Sequence, residues 1–151
     1  MSLIEAIEEI GCHLTTEEVA QVIEMILERD DDVDEDDRRV LALAEWLADN
    51  DPHGLSEVSE CKYSCYGMTT YSVGNREYAV ATDSEADEAQ DAAFDNYIDE
   101  CVRPELSGSL ANYFDEDSWK RDAKMDGRGH ALSSYDGNEY EAREFFIYRV
   151  N

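Results

Sequence analysis

The chain has 151 residues, of which 42% are hydrophobic, so it can bury a core and is not a disordered acidic tail. Its 38 acidic and 12 basic residues give a formal net charge of −26. This charge excludes direct binding to bare nucleic acid or to an anionic membrane, because both require Lys and Arg to neutralise phosphates. We expect basic surfaces or cations as partners.

The chain has no stretch of about 18 apolar residues, and its first residues lack the basic flank and apolar run of a signal peptide. These features predict a cytoplasmic protein. Thiols in that compartment are usually reduced, so we expect free cysteines rather than a disulfide framework. The four cysteines are Cys12, Cys61, Cys65 and Cys101.

Residues 1–56 are predicted to form an acidic helical module, a bundle of three short helices. The first helix has apolar residues at helical spacing from Leu3 to Ile10 and stops at Gly11. Thr15 and Glu18 have the spacing of a capping box at the start of the second helix. The buried stripes of the second and third helices are predicted to consist of Val19, Val22, Ile23, Ile26 and Leu27, and of Val40, Leu41, Leu43, Ala44 and Leu47. The sequence "DNDPHG" over residues 49–54 ends the third helix.

From Met68 onward the apolar residues change from helical spacing to the alternation of a β-strand. The sequence "TTYSVGNREYAVAT" alternates around Gly74-Asn75, which predicts a β-hairpin with its turn at that pair. A helix follows, and its apolar stripe is predicted to consist of Ala86, Ala89, Ala93, Tyr97 and Ile98.

The last part of the chain contains a helical region from about residue 110 to 124, a turn at "DGRGH", and two strands joined at residues 136–138. This order of elements predicts an α+β domain over residues 57–151. Its antiparallel sheet should have about four strands, with helices packed on one face.

Two stretches of this second part are similar to a known group of proteins. "MTTYSVGNREYAVATDSEADEA", which begins at Met68, and the C-terminal "DGRGHALSSYDGNEYEAREFFIYRVN" resemble a family of small acidic proteins from bacteriophage and prophage genomes. The resemblance covers residues 68–151 and implies that residues 1–67 are an added N-terminal module. It names no catalytic residue. It implies a viral setting, in which small acidic proteins often inhibit host defence.

The acidic residues concentrate in two segments, of which the first is "DSEADEAQDAAFDNYIDE" over residues 83–100. This segment holds eight acidic residues and no Lys or Arg. A helix of this length spans about 27 Å, which gives about one charge per 3.4 Å, close to the axial spacing of phosphates on one DNA strand. Five carboxylates recur at i, i+4 positions and form the acidic row, beside which Glu88 lies: Asp83, Asp87, Asp91, Asp95 and Asp99. Because like charges at this spacing destabilise a helix, the row indicates a function.

The second segment is "ERDDDVDEDD" over residues 28–37, at a predicted junction between helices. Eight of its ten residues are acidic. Seven of them are predicted to belong to the same partner-binding surface: Asp30, Asp31, Asp32, Asp34, Glu35, Asp36 and Asp37.

These two segments predict a mimic of the phosphate field of a nucleic acid, because carboxylates held on helices can occupy an Arg- and Lys-lined groove. The expected function is a phage-encoded inhibitor of a host nucleic-acid-binding defence system. A CRISPR surveillance complex or a restriction enzyme would be the target, which makes the protein an anti-CRISPR or antirestriction factor in the host cytoplasm. Selectivity would require apolar anchors, for which the candidates are Tyr97, Tyr113, Phe114 and Trp119, although a place in the core is the simpler interpretation for each.

Other interpretations of the charge stay open. Proteins of high-salt cytoplasms are often acidic and poor in Lys, so the acidic surface could be a halophilic solvation device on a non-enzymatic adaptor or regulatory protein. An apolar face left exposed on either part of the chain would allow a homodimer.

A metal site is a weaker interpretation. No register of the acidic run at residues 30–37 fits an EF-hand, since a loop that starts at Asp30 has Glu35 at the glycine position and Leu41 at the twelfth position. A zinc site would need to combine the C-x3-C pair with distant residues, and no second tight pair exists. The zinc candidates are Cys61, Cys65, Cys12, His13 and His53. We predict no cofactor.

The sequence gives little support for an enzymatic function. An acid/base pair can be drawn around His130 with Asp126 or Asp136, and Arg128 lies between them in the chain. The glycines of "DGRGH" are explained more simply as turn residues. We therefore predict a protein that acts by binding and not by catalysis.

Overall fold

The computed structural model describes residues 15–29, 33–106 and 108–151, and it confirms the α+β class. The helices are α1 (Thr16–Arg29), α2 (Glu35–Asn50), α3 (Asp83–Tyr97), α4 (Glu116–Lys124) and α5 (Arg128–Leu132). The strands are β1 (Val58–Cys65), β2 (Met68–Val73), β3 (Arg76–Ala81), β4 (Tyr140–Ala142) and β5 (Phe145–Arg149). Short 3₁₀ segments cover Pro52–Glu57, Arg103–Glu105 and Gly108–Tyr113, and a π turn covers Ile98–Val102. Within the described residues, no helix is both long and apolar enough to cross a membrane.

The strands form one antiparallel sheet in the order β1-β2-β3-β5-β4. The predicted hairpin is confirmed, because Val73 pairs with Arg76 and Gly74 between them has a φ of 63°. Glycine adopts this left-handed conformation without the steric cost that a Cβ atom imposes. Strand β1 at one edge of the sheet was not predicted.

The predicted joint between the last two strands is wrong. The strands β4 and β5 are joined at Arg143-Glu144, and Arg143 has a φ of 56° although it is not a glycine. Residues 136–138 form a turn before β4, in which the Asn138 backbone N–H donates to Asp136 Oδ1 at 3.0 Å. This local hydrogen bond closes the Asp-Gly turn, so the chain reaches the sheet only at Tyr140.

The two faces of the sheet carry different helices. Alternate residues of β3 point to opposite sides, so Tyr78 and Val80 pack against α2, whereas Ala79 and Ala81 pack against α3. The helices α3 and α5 of the predicted α+β domain lie on one face, as expected. The other face is covered by α1 and α2.

The helices α1 and α2 share their core with the sheet. The buried stripe of α2 is confirmed, and it joins Val19 and Ile23 of α1 in one cluster with residues of β2, β3 and β5. The three-helix bundle is not confirmed, because the predicted first helix lies outside the described residues. The boundary predicted between residues 56 and 57 falls at the end of the 3₁₀ segment after α2, and as a division between domains it stays a prediction.

Helix α3 begins with a complete capping box. Thr82 Oγ1 accepts from the Glu85 backbone N–H, and the Glu85 carboxylate accepts from the Thr82 backbone N–H at 2.8 Å. Of the predicted apolar stripe, the three alanines and Ile98 are buried, but Tyr97 is 51% exposed. The buried face continues through Phe94 instead, which lies one residue after Ala93 and four before Ile98.

Candidate functional site

The acidic row of α3 faces basic side chains from later in the chain. Arg128 Nη1 lies 2.8 Å from Asp83 Oδ1 and 3.2 Å from Asp87 Oδ1. Lys124 Nζ lies 3.3 Å from Asp91 Oδ1. The first three carboxylates of the row are therefore paired within the chain.

The same pattern continues to the end of the row. Lys120 Nζ lies 2.5 Å from Asp95 Oδ1 and 3.5 Å from Glu116 Oε1, and Arg103 Nε lies 3.2 Å from Asp99 Oδ1. The hydrogen bond from Lys120 lowers the pKa of the Asp95 carboxyl and raises the pKa of the Lys120 amine. Asp95 and Lys120 therefore stay oppositely charged over a wider pH range than isolated side chains would.

These contacts define a charge seam, in which two rows of opposite sign run antiparallel. Lys120, Lys124 and Arg128 recur every four residues, as the aspartates do, and the last cation meets the first aspartate. This pairing was not predicted from the sequence, although the cations and the aspartates have the same four-residue spacing, which indicates it. The seam offsets the self-repulsion of α3. Its carboxylates are still largely accessible, since their side-chain exposures range from 51% for Asp91 to 74% for Asp83.

The motif "DGRGH" contributes Arg128 to the charge seam. The Arg128 side chain is only 14% exposed, donates from Nε to Glu139 Oε1 at 2.8 Å, and lies 4.5 Å above the Phe146 ring. The buried Tyr148 hydroxyl donates to the same carboxylate. Burial and the Glu139 carboxylate both raise the pKa of Tyr148. The predicted candidate Arg128 is therefore a structural cation that connects α5 to α3 and to the loop before β4.

The glycines of the motif have separate structural reasons. Gly127 has a φ of 89°, which is the left-handed region that favours glycine. A Cβ atom on Gly129 would lie 2.6 Å from the Asn138 carbonyl carbon, so only glycine allows this approach of backbones. Asp136 accepts hydrogen bonds from the Tyr140 hydroxyl at 2.6 Å and from the Asn138 backbone. The acid/base pair drawn between His130 and Asp136 therefore gains no support from the contacts of Asp136.

The two acidic segments meet at Arg39 of α2. Its Nη1 lies 2.6 Å from Glu85 Oε1 at the start of α3, and its Nη2 lies 2.9 Å from Glu85 Oε2 and 2.8 Å from Glu35 Oε1. Arg39 also donates to the Val80 carbonyl at 3.1 Å, and its side chain is only 5% exposed. This buried cation holds the beginnings of α2 and α3 together.

We call the surface over this contact the acidic junction. It consists of Glu35, Asp36 and Glu85, which pair with Arg39, and of the exposed Glu88 one turn after Glu85 on α3. The Glu35 and Asp36 side chains are 61% and 80% exposed. Partial burial raises the pKa of Glu85, but the hydrogen bonds from Arg39 and Thr82 outweigh burial, so the net shift is downward. The Glu85 carboxylate therefore keeps its charge at a lower pH than an isolated glutamate would.

The remaining predicted acids of the second segment lie beside this surface or outside the described residues. Asp34 caps α2, since its Oδ1 accepts from the Asp37 backbone N–H at 2.8 Å. Asp37 is partly buried. Residues 30–32, with the predicted Asp30, Asp31 and Asp32, lie outside the described residues.

No protein-family model, no curated protein and no solved structure matches this chain. The resemblance to phage proteins therefore stays a prediction.

The predicted aromatic anchors are not all in the core. Tyr97 is 51% and Tyr113 is 82% exposed, so the core interpretation is wrong for both. Trp119 of α4 is partly buried, stacks on Tyr97 at 5.7 Å between ring centroids, and meets Phe94 edge-on at 5.6 Å. Phe114, the fourth candidate, is partly buried.

The rings of Phe94, Tyr97 and Trp119 line a cleft between α3, α4 and α5. The cleft has a volume of about 380 Å³ and is completed by Ala123, Asp126, His130 and Ala131. Sequence reasoning named Trp119 and Tyr97 separately. It did not place them together, because their contact depends on the docking of α4 on α3.

Within the described residues, no group of three or more His, Cys, Asp or Glu side chains is arranged to hold a metal ion. The predicted zinc candidates Cys12 and His13, and the side chain of Cys61, lie outside that description. Cys65 is a free, partly buried thiol whose pKa is raised by burial, and Cys101 is free and exposed.

Proposed function

We propose that this protein inhibits a nucleic-acid-binding protein by placing the acidic junction and the acidic row in its basic groove. The observation that carries this proposal is the contact of Arg39 with Glu35 of one acidic segment and with Glu85 of the other, which lies 46 residues after Arg39 in the chain. Carboxylates fixed at the ends of two packed helices form a rigid anionic surface. Such a surface can replace phosphates without a large loss of conformational entropy on binding.

The distribution of the basic residues supports the acidic junction as the main contact surface, because four cations pair with the acidic row whereas Arg39 lies under the junction. Eight basic side chains are each within ion-pair distance of a carboxylate of the same chain: Arg38, Arg39, Arg76, Arg103, Lys120, Lys124, Arg128 and Arg143. These positive charges are therefore paired with carboxylates of the same molecule. The surplus that gives the net charge of −26 is left to face solvent or a partner, and it would steer a basic partner towards the protein.

The expected target follows from the setting that the family resemblance implies. In a phage-infected cell, the proteins with long basic grooves for DNA or RNA include the host defence complexes. We therefore propose a CRISPR surveillance complex or a restriction enzyme as the target. The protein would act by occupying the groove, without catalysis.

The test is capture of a nucleic-acid-binding protein from lysates of defence-carrying bacteria by the purified protein. We expect capture at about 0.1 M salt, strong loss at about 0.5 M salt, and displacement by duplex DNA, because groove binding depends on charge. Asp36→Asn/Glu88→Gln, which neutralises two carboxylates of the junction, should weaken capture.

The matched control is Glu100→Gln/Glu105→Gln, which removes the same charge from exposed positions after the C-terminal end of α3. It should weaken capture less, because the net charge falls equally but the junction is intact. Capture that resists salt and DNA, or equal losses in both variants, would contradict the proposal. A protein that loses its structure below molar salt would instead support halophilic solvation on an adaptor.

A further inference from the structure

We infer that the aromatic cleft between α3, α4 and α5 binds one arginine side chain of the basic partner. The nature of the partner rests on the proposed function, whereas the site itself rests on the geometry of the cleft. Two features indicate a cation as the ligand: the aromatic walls and the charge around them.

Three aromatic rings line the cleft. Trp119 and Tyr97 stack with an interplanar angle of 18°, and the Phe94 ring stands at 87° to Trp119. A guanidinium group is attracted to the faces of aromatic rings by the ring quadrupole, and it stacks on them because it is planar. Tyr97 is half exposed and Trp119 is partly exposed, so a ligand can reach these two rings from solvent.

The charge of the cleft favours a cation over an anion or a neutral group. Asp126 lines the cleft, is exposed, and forms no ion pair within the part of the chain that the structure describes. The nearby ammonium groups are engaged elsewhere, since Lys120 pairs with Asp95 and Lys124 with Asp91 in the charge seam. A guanidinium over Trp119 could therefore pair with Asp126 without competition from Lys120 or Lys124.

The cleft is large enough for one side chain. A volume of about 380 Å³ lies at the lower end for ligand pockets. A nucleotide would bring phosphates into the field of a chain with a net charge of −26, and repulsion would oppose its binding. An arginine of a nucleic-acid groove has both the charge and the planar shape that the cleft accommodates. The acidic surface would then supply attraction, and the cleft would supply an anchor.

The test uses Nα-acetyl-arginine amide and its neutral isostere Nα-acetyl-citrulline amide. The chain has two tryptophans, so its NMR spectrum has two indole N–H signals, which Trp119→Phe assigns. We expect the arginine compound to shift the Trp119 signal saturably. The citrulline compound should not shift it at matched ionic strength. Trp46 is an internal control, because it lines a separate cleft that also contains several acidic residues.

Asp126→Asn should weaken the binding of the arginine compound about fivefold, as the loss of an exposed ion pair implies. Asp122→Asn removes the same charge from a position of α4 that does not line the cleft, and should leave the affinity unchanged. Equal shifts of both indole signals, an equal response to citrulline, or full affinity in Asp126→Asn would overturn the inference.

The two proposals can fail separately. If the arginine compound binds in the cleft but the protein captures no nucleic-acid-binding protein, the arginine site is supported and the proposed function is refuted. If the protein captures such a target through charge alone and the Trp119 signal does not respond, the proposed inhibition is supported and the arginine site is refuted.

Discussion

Replacement of Arg39 by methionine should destabilise the protein more than any comparable change on the same helix. Arg39 is 5% exposed, bonds Glu85 through both terminal nitrogens, and holds Glu35 at 2.8 Å. Its guanidinium also lies 5.3 Å from the centre of the Phe145 ring. Methionine keeps the apolar packing of the stem but leaves Glu85 without its cation.

The expected loss follows from the burial of the pair. Removing one partner of a buried ion pair costs about 3–5 kcal/mol, and we expect about 3 kcal/mol here, because a third of the Glu85 side chain is exposed to water. For a chain of this length that loss lowers the melting temperature by about 6–12 °C. Arg38→Met is the matched control. The Arg38 side chain is 46% exposed and pairs with Glu144 at 3.6 Å, so its loss should cost about 0.5–1 kcal/mol.

Urea unfolding followed by circular dichroism measures both variants and a double-mutant cycle with Glu85→Gln. Glutamine keeps the capping role of Glu85 and removes its charge. The double variant should be at least about 1 kcal/mol more stable than the sum of the single effects predicts. Additive effects, or a loss in Arg39→Met no greater than in Arg38→Met, would refute the view that Arg39 joins the two acidic segments.

Three further predictions concern local features of the fold, each measured as a free energy of unfolding. Gly129→Ala should cost about 1–3 kcal/mol, because its Cβ would meet the Asn138 backbone at 2.6 Å, and an unchanged stability would contradict the observed approach. Thr82→Ala should cost about 1 kcal/mol through loss of the cap of α3, whereas Thr82→Ser should retain most of it. The pKa of Glu85 is lowered on folding, so its stabilising contribution is complete above pH 4.5 and is lost as the pH falls through the folded value. Stability should therefore fall more steeply on acidification in the wild type than in Glu85→Gln, and parallel curves would exclude this role of Glu85.

Several elements could be predicted because neighbours in the sequence decide them. The Gly74-Asn75 turn requires a left-handed residue between two alternating segments, and both signals are local. Helix α2 ends at Asn50 because Pro52 follows and has no backbone N–H to continue the helix. The apolar spacing of α2 predicted its buried face for the same reason.

Other elements could not be predicted, since they depend on residues far apart in the chain. The Arg143-Glu144 turn has no glycine to mark it. The positive φ of Arg143 occurs between two paired strands, where the Arg143 side chain contacts Glu45 at 2.6 Å. Tyr97 lies outside the core because the buried face of α3 passes through Phe94, which meets Trp119 of α4.

The sequence by itself determined the net charge, the types of most elements and the spacing of the acidic row, because composition and periodicity are properties of the chain alone. Only the tertiary structure decided which charges meet. Lys120, Lys124 and Arg128 are paired with the row because α4 and α5 run back along α3, and Arg39 joins the two acidic segments because α2 and α3 begin side by side. Electrostatic energy depends on distance in space, and sequence separation does not set that distance.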